Sequence, residues 1–120
     1  MSALTDYQLT TRRTWRDHGD PVRSLSHCAL GVSEEAGEVV GVVKRHIGYG
    51  EPLDRAKLTR ELGDLLWYLA RLADEVGVTL DEVAEVNVAK LRARYPEGWS
   101  AHHAVARLDG EDTGTGKTYG

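Results

Sequence analysis

Two acidic stretches decide how this chain is expected to fold. Residues 34–47 read EEAGEVVGVVKRHI, and residues 61–76 read ELGDLLWYLARLADEV. Apolar residues recur every three or four positions in both stretches, which is typical of helices that bury one face. Carboxylates fall at the edge of that face in each case. The pattern therefore predicts two neighbouring helices with acidic side chains beside their apolar stripes.

The residues around these stretches predict four helices and no strand. The predicted helices cover residues 6–18, 25–47, 53–76 and 80–95. Their start signals are Thr5, Ser24, Pro52 and Thr79, and their stop signals are Gly19, Gly48 with Gly50, Gly77 and Pro96. Short loops favour antiparallel neighbours, so the expected fold is an all-α, four-helix-type bundle over residues 1–105. Residues 106–120 are expected to form a flexible tail, because they lack apolar spacing.

Composition excludes several classes of protein. The chain has 120 residues, 41% of them hydrophobic and 28% charged, as in one ordinary globular domain. A net charge of −4 argues against a nucleic-acid partner, and the absence of a long apolar run argues against a membrane span. The single cysteine, Cys28, fits a reducing cytoplasm and is interpreted as a small buried residue. Large apolar residues on more than one side of the third helix predict at least a dimer.

The acidic residues of the second helix lack basic neighbours. Glu34, Glu35 and Glu38 fall within an arc of about 100°. None has a lysine or arginine three or four residues away, and the like charges destabilise the helix by tenths of a kcal/mol, roughly, per pair. On the third helix, Glu61 and Asp64 have cations four residues earlier, which is the weaker order for an ion pair. A divalent cation would resolve the repulsion where the two helices meet, and we favour it over a solvated acidic face.

Other residues have two interpretations. Gly31, Gly37 and Gly41 interrupt the second helix, either to leave space for a ligand or to allow close helix packing. Asn87 projects into the apolar stripe of the fourth helix, where a buried amide needs a core partner or a ligand. Lys90 and Arg94 follow on one side of Asn87 and suit phosphate oxygens, although each alone is more often a solvated cation.

The acidic pattern resembles a known family. Glu34-Glu35-x-x-Glu38, followed after 22 residues by Glu61-x-x-Asp64, is similar to the E-E-x-x-E … E-x-x-D signature of the MazG-like all-α nucleoside triphosphate pyrophosphohydrolases. The resemblance extends from the first helix to about residue 100. It implies a homodimer or homotetramer that uses Mg²⁺, or Mn²⁺, to convert a nucleoside triphosphate to monophosphate and pyrophosphate.

The resemblance also implies roles for individual residues. The metal ligands would be Glu35, Glu38, Glu61 and Asp64, and Glu34 would be the base that activates water. Lys44, Asn87 and Lys90 match positions expected to contact phosphates or the nucleotide, and we add Arg94 to that set. Three aromatic residues would shape a base pocket, fill a subunit interface or simply pack: Trp15, Trp67 and Tyr68.

Two rival interpretations remain. A di-iron carboxylate bundle would need Glu-x-x-His on two helices, and no histidine stands at that spacing from these acids. A helical dimerisation or regulatory module would keep the fold and bind nucleotide without turnover. The presence of all five acidic residues favours the enzyme over this second rival.

Overall fold

The computed structural model describes residues 2–106, which form five helices and no strand. The helices are α1 (Ala3–Thr11), α2 (Pro21–Tyr49), α3 (Arg55–Glu75), α4 (Leu80–Arg94) and α5 (Ala101–Ala106). The all-α prediction is confirmed, but α5 was not predicted, because six residues are too few to show a helical period. The expected tail lies outside the described residues, except that its first residue, Ala106, ends α5.

Helix α1 begins and ends earlier than predicted. Ser2 is its N-cap, and the Ser2 hydroxyl accepts a hydrogen bond from the Thr5 amide at 3.2 Å. After Thr11 the backbone bonds shorten to three-residue turns, including Arg13 N–H to Thr10 C=O at 3.1 Å. The Thr11 hydroxyl also donates to a backbone carbonyl of its own turn, and the regular helix ends at this residue.

Helix α2 begins four residues before the predicted start. Asp20 is the N-cap and accepts from the Val22 amide at 2.9 Å, while Pro21 occupies the first turn, where its missing N–H is no loss. Ser24, the predicted cap, is buried inside the helix. The helix closes at Gly50, whose φ of 68° lies in the left-handed region that glycine adopts easily.

Helix α3 also starts at an aspartate. Asp54 is the N-cap and accepts from the Lys57 amide at 2.9 Å, so the helix begins at Arg55, two residues after the predicted start, and Pro52 lies before the cap. The predicted stop at Gly77 is confirmed by its φ of 74°. Helix α4 ends at Arg94, one residue before the predicted end.

Helix α3 is the centre of the packing, because both α1 and α2 lie against it. Ala70, Ala73 and Leu80 form a small buried cluster on this side. The Gln8 amide of α1 joins it by donating to Val78 C=O at 2.9 Å and accepting from Leu80 N–H at 2.7 Å. The start of α4 is therefore tied to α1.

The described part of the chain divides after Asp81 into two compact units. The first holds α1, α2 and α3, and the second holds α4 from Glu82 together with α5. The helix projection placed Asn87 in a buried stripe, but its side chain is exposed, as is that of Leu91. None of the helices in residues 2–106 combines the length and apolar character that a membrane span requires.

Candidate active site

Three carboxylates from two helices converge in the first unit. Glu35 of α2 and Glu61 and Asp64 of α3 each offer one oxygen, and these oxygens lie within 4.8 Å of one another. Glu61 and Asp64 share a face of α3 because they are three residues apart. The packing of α2 on α3 brings Glu35 to that face. We call these three residues the acidic trio.

The other two predicted acids lie beside the trio and not in it. Glu38 is exposed on α2, and its charge still acts on Glu35. Glu34 is also exposed and lines a neighbouring cavity. The structure therefore brings together three of the four residues predicted as metal ligands, while Glu38 and Glu34 lie outside this group, and the roles of all five acids stay predictions.

The acidic trio has no cation of its own. Within residues 2–106, none of the five acids forms an ion pair, and the pairs that the sequence allowed from Lys57 and Arg60 are absent. Burial raises the pKa of the Glu35 carboxyl, and the charges of Asp64, Glu34, Glu61 and Glu38 raise it further. A positive ion at this position would relieve that repulsion.

The chemistry of the donors fits a hard divalent cation. The acidic trio offers only carboxylate oxygens, which are the ligands that Mg²⁺ and Mn²⁺ prefer. It contains no histidine, so the trio itself lacks the nitrogen ligands of a di-iron carboxylate site. The donors thus fit a hard divalent cation, and the choice of magnesium or manganese stays a prediction.

A cavity of about 490 Å³ adjoins the acidic trio along α2. Its polar and aromatic lining residues are His18, Arg23, Ser26, His27, Glu34 and Tyr68. Burial raises the pKa of the Tyr68 hydroxyl, and the next largest causes are the charges of Glu34 and Glu35. The charges of Glu35 and Asp64 in the acidic trio therefore act on a residue that lines the cavity.

The predicted aromatic residues form one cluster behind this cavity. The rings of Trp15 and Trp67 have centroids 6.0 Å apart, and Trp67 meets Tyr68 edge-to-face at 4.9 Å. Trp15 also lies 5.2 Å from His27, and the Trp67 indole donates to Thr14 at 3.0 Å. The three rings therefore pack on one another, and Tyr68 also lines the cavity. The base pocket and the subunit interface stay predictions.

The glycines of α2 separate into two kinds. A Cβ atom at Gly31 would collide with the Tyr68 ring, so this glycine allows close packing of α3 on α2. A Cβ atom at Gly37 or Gly41 would meet no atom within 4 Å. Close packing thus explains Gly31, and the space beside the other two stays open for a ligand.

The predicted substrate-binding cations lie away from the acidic trio along the chain. Lys44 is exposed and lines a second, apolar cavity with Val39, Val40 and Ile47. Lys90 and Arg94 are half-buried on α4 in the second unit, where Asn87 is exposed. Their roles stay predictions.

Sequence reasoning missed the other residues that line the first cavity. His27 precedes Glu34 by seven residues, which places both on one face of α2, and this spacing was the available signal. Arg23 fell before the predicted start of the helix, so it was not assigned to its face, and Ser26 lay at the second position of the predicted helix without being singled out. His18 comes from the loop before α2, and no helical period could have indicated it.

Comparison with known proteins identifies the family. Residues 23–99 match the family model of the MazG nucleotide pyrophosphohydrolase domain. The chain belongs to this family. Members generally hydrolyse nucleotide pyrophosphates and typically depend on a metal ion. The matched residues include the acidic trio, Glu34, Glu38 and most of the cavity lining of this MazG-family chain.

Two relatives agree with this membership. The chain is 36% identical over 83 residues to the "Gene 37 protein" of Mycobacterium phage L5. This alignment covers 66% of the chain and 73% of the relative. It is 31% identical over 94 residues to the "Uncharacterized protein YvdC" of Bacillus subtilis (strain 168), with coverages of 70% and 83%. No solved structure matches the chain.

Proposed function

We propose that this MazG-family chain is a nucleoside triphosphate pyrophosphohydrolase that requires Mg²⁺ or Mn²⁺. The observation that carries the proposal is the acidic trio, in which three carboxylates from two helices lie together without an ion pair to any lysine or arginine of the described residues. A triphosphate and a carboxylate cluster repel each other, so a divalent cation must lie between them for binding. The products would be the nucleoside monophosphate and pyrophosphate.

The metal would be held by Glu35, Glu61 and Asp64, with Glu38 as the fourth ligand. Glu38 is exposed on α2, its charge raises the pKa of Glu35, and it follows Glu35 by three residues on the same helix face. When bound, the metal would neutralise phosphate charge, stabilise the pyrophosphate leaving group and acidify water. Because Glu35 is half-buried, its carboxylate would stay oriented toward the position of the metal.

Glu34 would act as the general base. Its carboxylate would accept a proton from the water whose oxygen attacks phosphorus, while the bond to the pyrophosphate oxygen breaks. Glu34 suits this role because it adjoins the acidic trio in sequence, is exposed and lies outside the group of converging oxygens. A base must stay free of the metal to take up the proton.

The remaining predicted residues would bind the substrate through its phosphates. Lys44, Lys90 and Arg94 supply positive charge, and Asn87 supplies an amide on an exposed face of α4. In a homodimer or homotetramer, the exposed apolar side chains would be covered by a second copy; examples are Ile47, at 76% exposure, and Leu30, at 70%. The free thiol of Cys28, buried as predicted, fits a cytoplasmic protein.

A nucleotide panel tests the proposal. Purified chain is incubated with each common ribo- and deoxyribonucleoside triphosphate and Mg²⁺, and pyrophosphate and phosphate are measured separately. We expect pyrophosphate with at least one nucleotide and no turnover in excess EDTA. Turnover that persists in EDTA would rule out the metal mechanism, and tight binding of all nucleotides without turnover would favour the regulatory module.

Two variants separate the base from the ligands. Glu34→Gln should leave nucleotide binding intact and slow turnover by about a hundred- to ten-thousand-fold. Glu38→Gln should weaken both Mn²⁺ and nucleotide binding, since the triphosphate is held through the metal. Equal loss of binding in the two variants, measured by calorimetry, would make Glu34 another ligand, and unchanged turnover in Glu34→Gln would eliminate it as the base.

A further inference from the structure

Two histidines meet through their ring nitrogens beside α2. His18 Nε2, from the loop before α2, lies 2.9 Å from His27 Nδ1 on the helix, and both residues line the first cavity. We call these residues the histidine pair and propose that they bind one divalent transition-metal ion of the class of Zn²⁺, Ni²⁺ and Cu²⁺. This site is separate from the acidic trio and does not depend on the proposed function.

The spacing of the two nitrogens fits two ligands of one ion. Bonds from zinc to imidazole nitrogen are about 2.0–2.1 Å long, so two such nitrogens lie about 2.9 Å apart at a right angle and about 3.4 Å apart at the tetrahedral angle. The observed 2.9 Å stands at the short end of this range. A turn of the exposed His18 ring, with a shift of about 0.5 Å or less, would aim both lone pairs at one ion.

The neutral rings need not lose a proton to bind the ion. In the hydrogen bond, one of the two nitrogens carries a proton and donates it to the lone pair of the other. When the ion binds, the donating ring would change its tautomer and carry that proton on its other nitrogen, which is His18 Nδ1 or His27 Nε2. Both facing lone pairs are then available, and water in the cavity would fill the remaining positions of the ion.

Aromatic rings hold both imidazoles in place. The centroid of the Trp15 ring lies 5.6 Å from that of His18 and 5.2 Å from that of His27. Tyr68 lies 5.8 Å from His27 on its other contact, and Trp67 packs on both Trp15 and Tyr68. Ligand side chains whose orientation is fixed by packing lose little freedom when an ion binds.

The histidine pair and the acidic trio favour different metal ions. Imidazole nitrogen suits Zn²⁺, Ni²⁺ and Cu²⁺, whereas carboxylate oxygen suits Mg²⁺ and Mn²⁺. His27 and Glu35 are eight residues apart on α2, about 12 Å along the helix axis, so both sites have room to be filled together. Arg23 and Glu34 line the cavity with opposite charges, so the affinity would depend mainly on the two nitrogens.

Copper spectroscopy tests the site. The full chain is mixed with equimolar Cu²⁺ in excess Mg²⁺, which competes for the carboxylates, and electron paramagnetic resonance counts the nitrogen ligands from their hyperfine splitting. We expect two imidazole nitrogens in the wild type. In His18→Ala and in His27→Ala, this two-nitrogen pattern should disappear and the Cu²⁺ affinity should fall at least about tenfold, since losing even an indirect partner of a metal costs about ten- to a hundredfold.

A matched control makes the result specific to the histidine pair. His102→Ala removes an exposed histidine of α5, in the second unit, and should keep the wild-type spectrum and affinity. His18 is exposed in a loop, so His18→Ala decides the question by itself if His27→Ala fails to fold. A wild-type spectrum without nitrogen ligands would overturn the proposal, as would a two-nitrogen spectrum with wild-type affinity in either folded variant.

Zn²⁺ gives a second readout through stability. An ion that binds only the folded chain stabilises it, so Zn²⁺ in excess Mg²⁺ should raise the melting temperature of the wild type and of His102→Ala more than that of His18→Ala. Equal increases in the wild type and His18→Ala would also overturn the proposal. Neither measurement uses a nucleotide, so its outcome is independent of whether the chain hydrolyses nucleoside triphosphates.

Discussion

Helix α3 carries charged side chains in two regions, Glu61 and Asp64 near its start and Arg71 and Asp74 near its end. The Arg71 guanidinium is 3% exposed and donates to Asp74 at 3.0 Å, while the Arg12 guanidinium donates twice to the same carboxylate. The Arg71 guanidinium also lies 4.9 Å from the centre of the Trp15 ring. Charges at this end are paired within the chain.

The two regions also differ in the pKa values of their carboxyl groups. Hydrogen bonds from Arg12, and the charge of Arg71, hold the pKa of the Asp74 carboxyl below its usual range despite partial burial. The pKa of Glu35, which faces the start of the helix, is raised by burial and by other carboxylates. The charges near the end of α3 are paired within the chain, whereas the acidic trio forms no ion pair with the described residues.

The largest expected effect is on activity. Asp64→Asn keeps the shape of the side chain and removes one charge from the acidic trio, so pyrophosphate release should fall by at least about a hundredfold, since even indirect metal partners are worth about ten- to a hundredfold. Asp6→Asn, an exposed acid of α1, is the control and should retain full turnover. Turnover within a factor of two of the wild type in Asp64→Asn would remove this residue from the metal site.

The paired region should control stability instead. Asp74→Asn would leave the buried Arg71 with only the longer contact to Glu75, at 3.5 Å, and breaking a buried pair typically costs about 3 kcal/mol of unfolding free energy. Urea denaturation followed by circular dichroism measures this loss. Glu51→Gln breaks the exposed pair with Arg45 and should cost less than about 1 kcal/mol. Equal costs in the two variants would contradict the structural role given to Asp74.

Removing a charge from the acidic trio should have the opposite effect on stability. Glu35→Gln removes one of the repelling charges, so the metal-free chain should become more stable by about 0.5 kcal/mol. Binding of Mg²⁺ to the folded wild type should raise its melting temperature, and Glu35→Gln should lose most of that increase. Thermal unfolding with and without Mg²⁺ measures both effects. A variant that is less stable without metal, or that keeps the full shift, would argue against the trio.

The smallest expected effects are on the dependence of stability on pH. The folded pKa of Asp74 is lowered, so its contribution is present above about pH 3.9, the unfolded value, and is lost as the pH falls through the folded pKa. The folded pKa of Glu35 is raised, so stability falls as the pH rises above about 4.3, the unfolded value. Asp74→Asn should flatten the acidic limb of a denaturation series, and Glu35→Gln should flatten the opposite slope. No change of either slope would refute these assignments.

The sequence by itself determined the all-helical class and pointed to the five acidic residues of the candidate site. The apolar periods of residues 34–47 and 61–76 require helices, and the i,i+3 spacing of Glu61 and Asp64 puts both on one face of α3. The residues also indicated, from charge alone, that Glu34, Glu35 and Glu38 lacked local partners. These features depend on neighbours along one helix, which the sequence specifies directly.

Only the tertiary structure decided where the helices begin and which side chains meet. Asp20 is the N-cap of α2 in place of the predicted Ser24, and Asp54 is the N-cap of α3, because each carboxylate accepts a hydrogen bond from a backbone amide of the first turn. Glu38 lies outside the acidic trio, and His18, from the loop before α2, lines the cavity. The trio depends on the packing of α2 on α3, and the cavity wall depends on the close approach of Tyr68 to Gly31. Such contacts join residues far apart in the chain, so no local spacing could specify them.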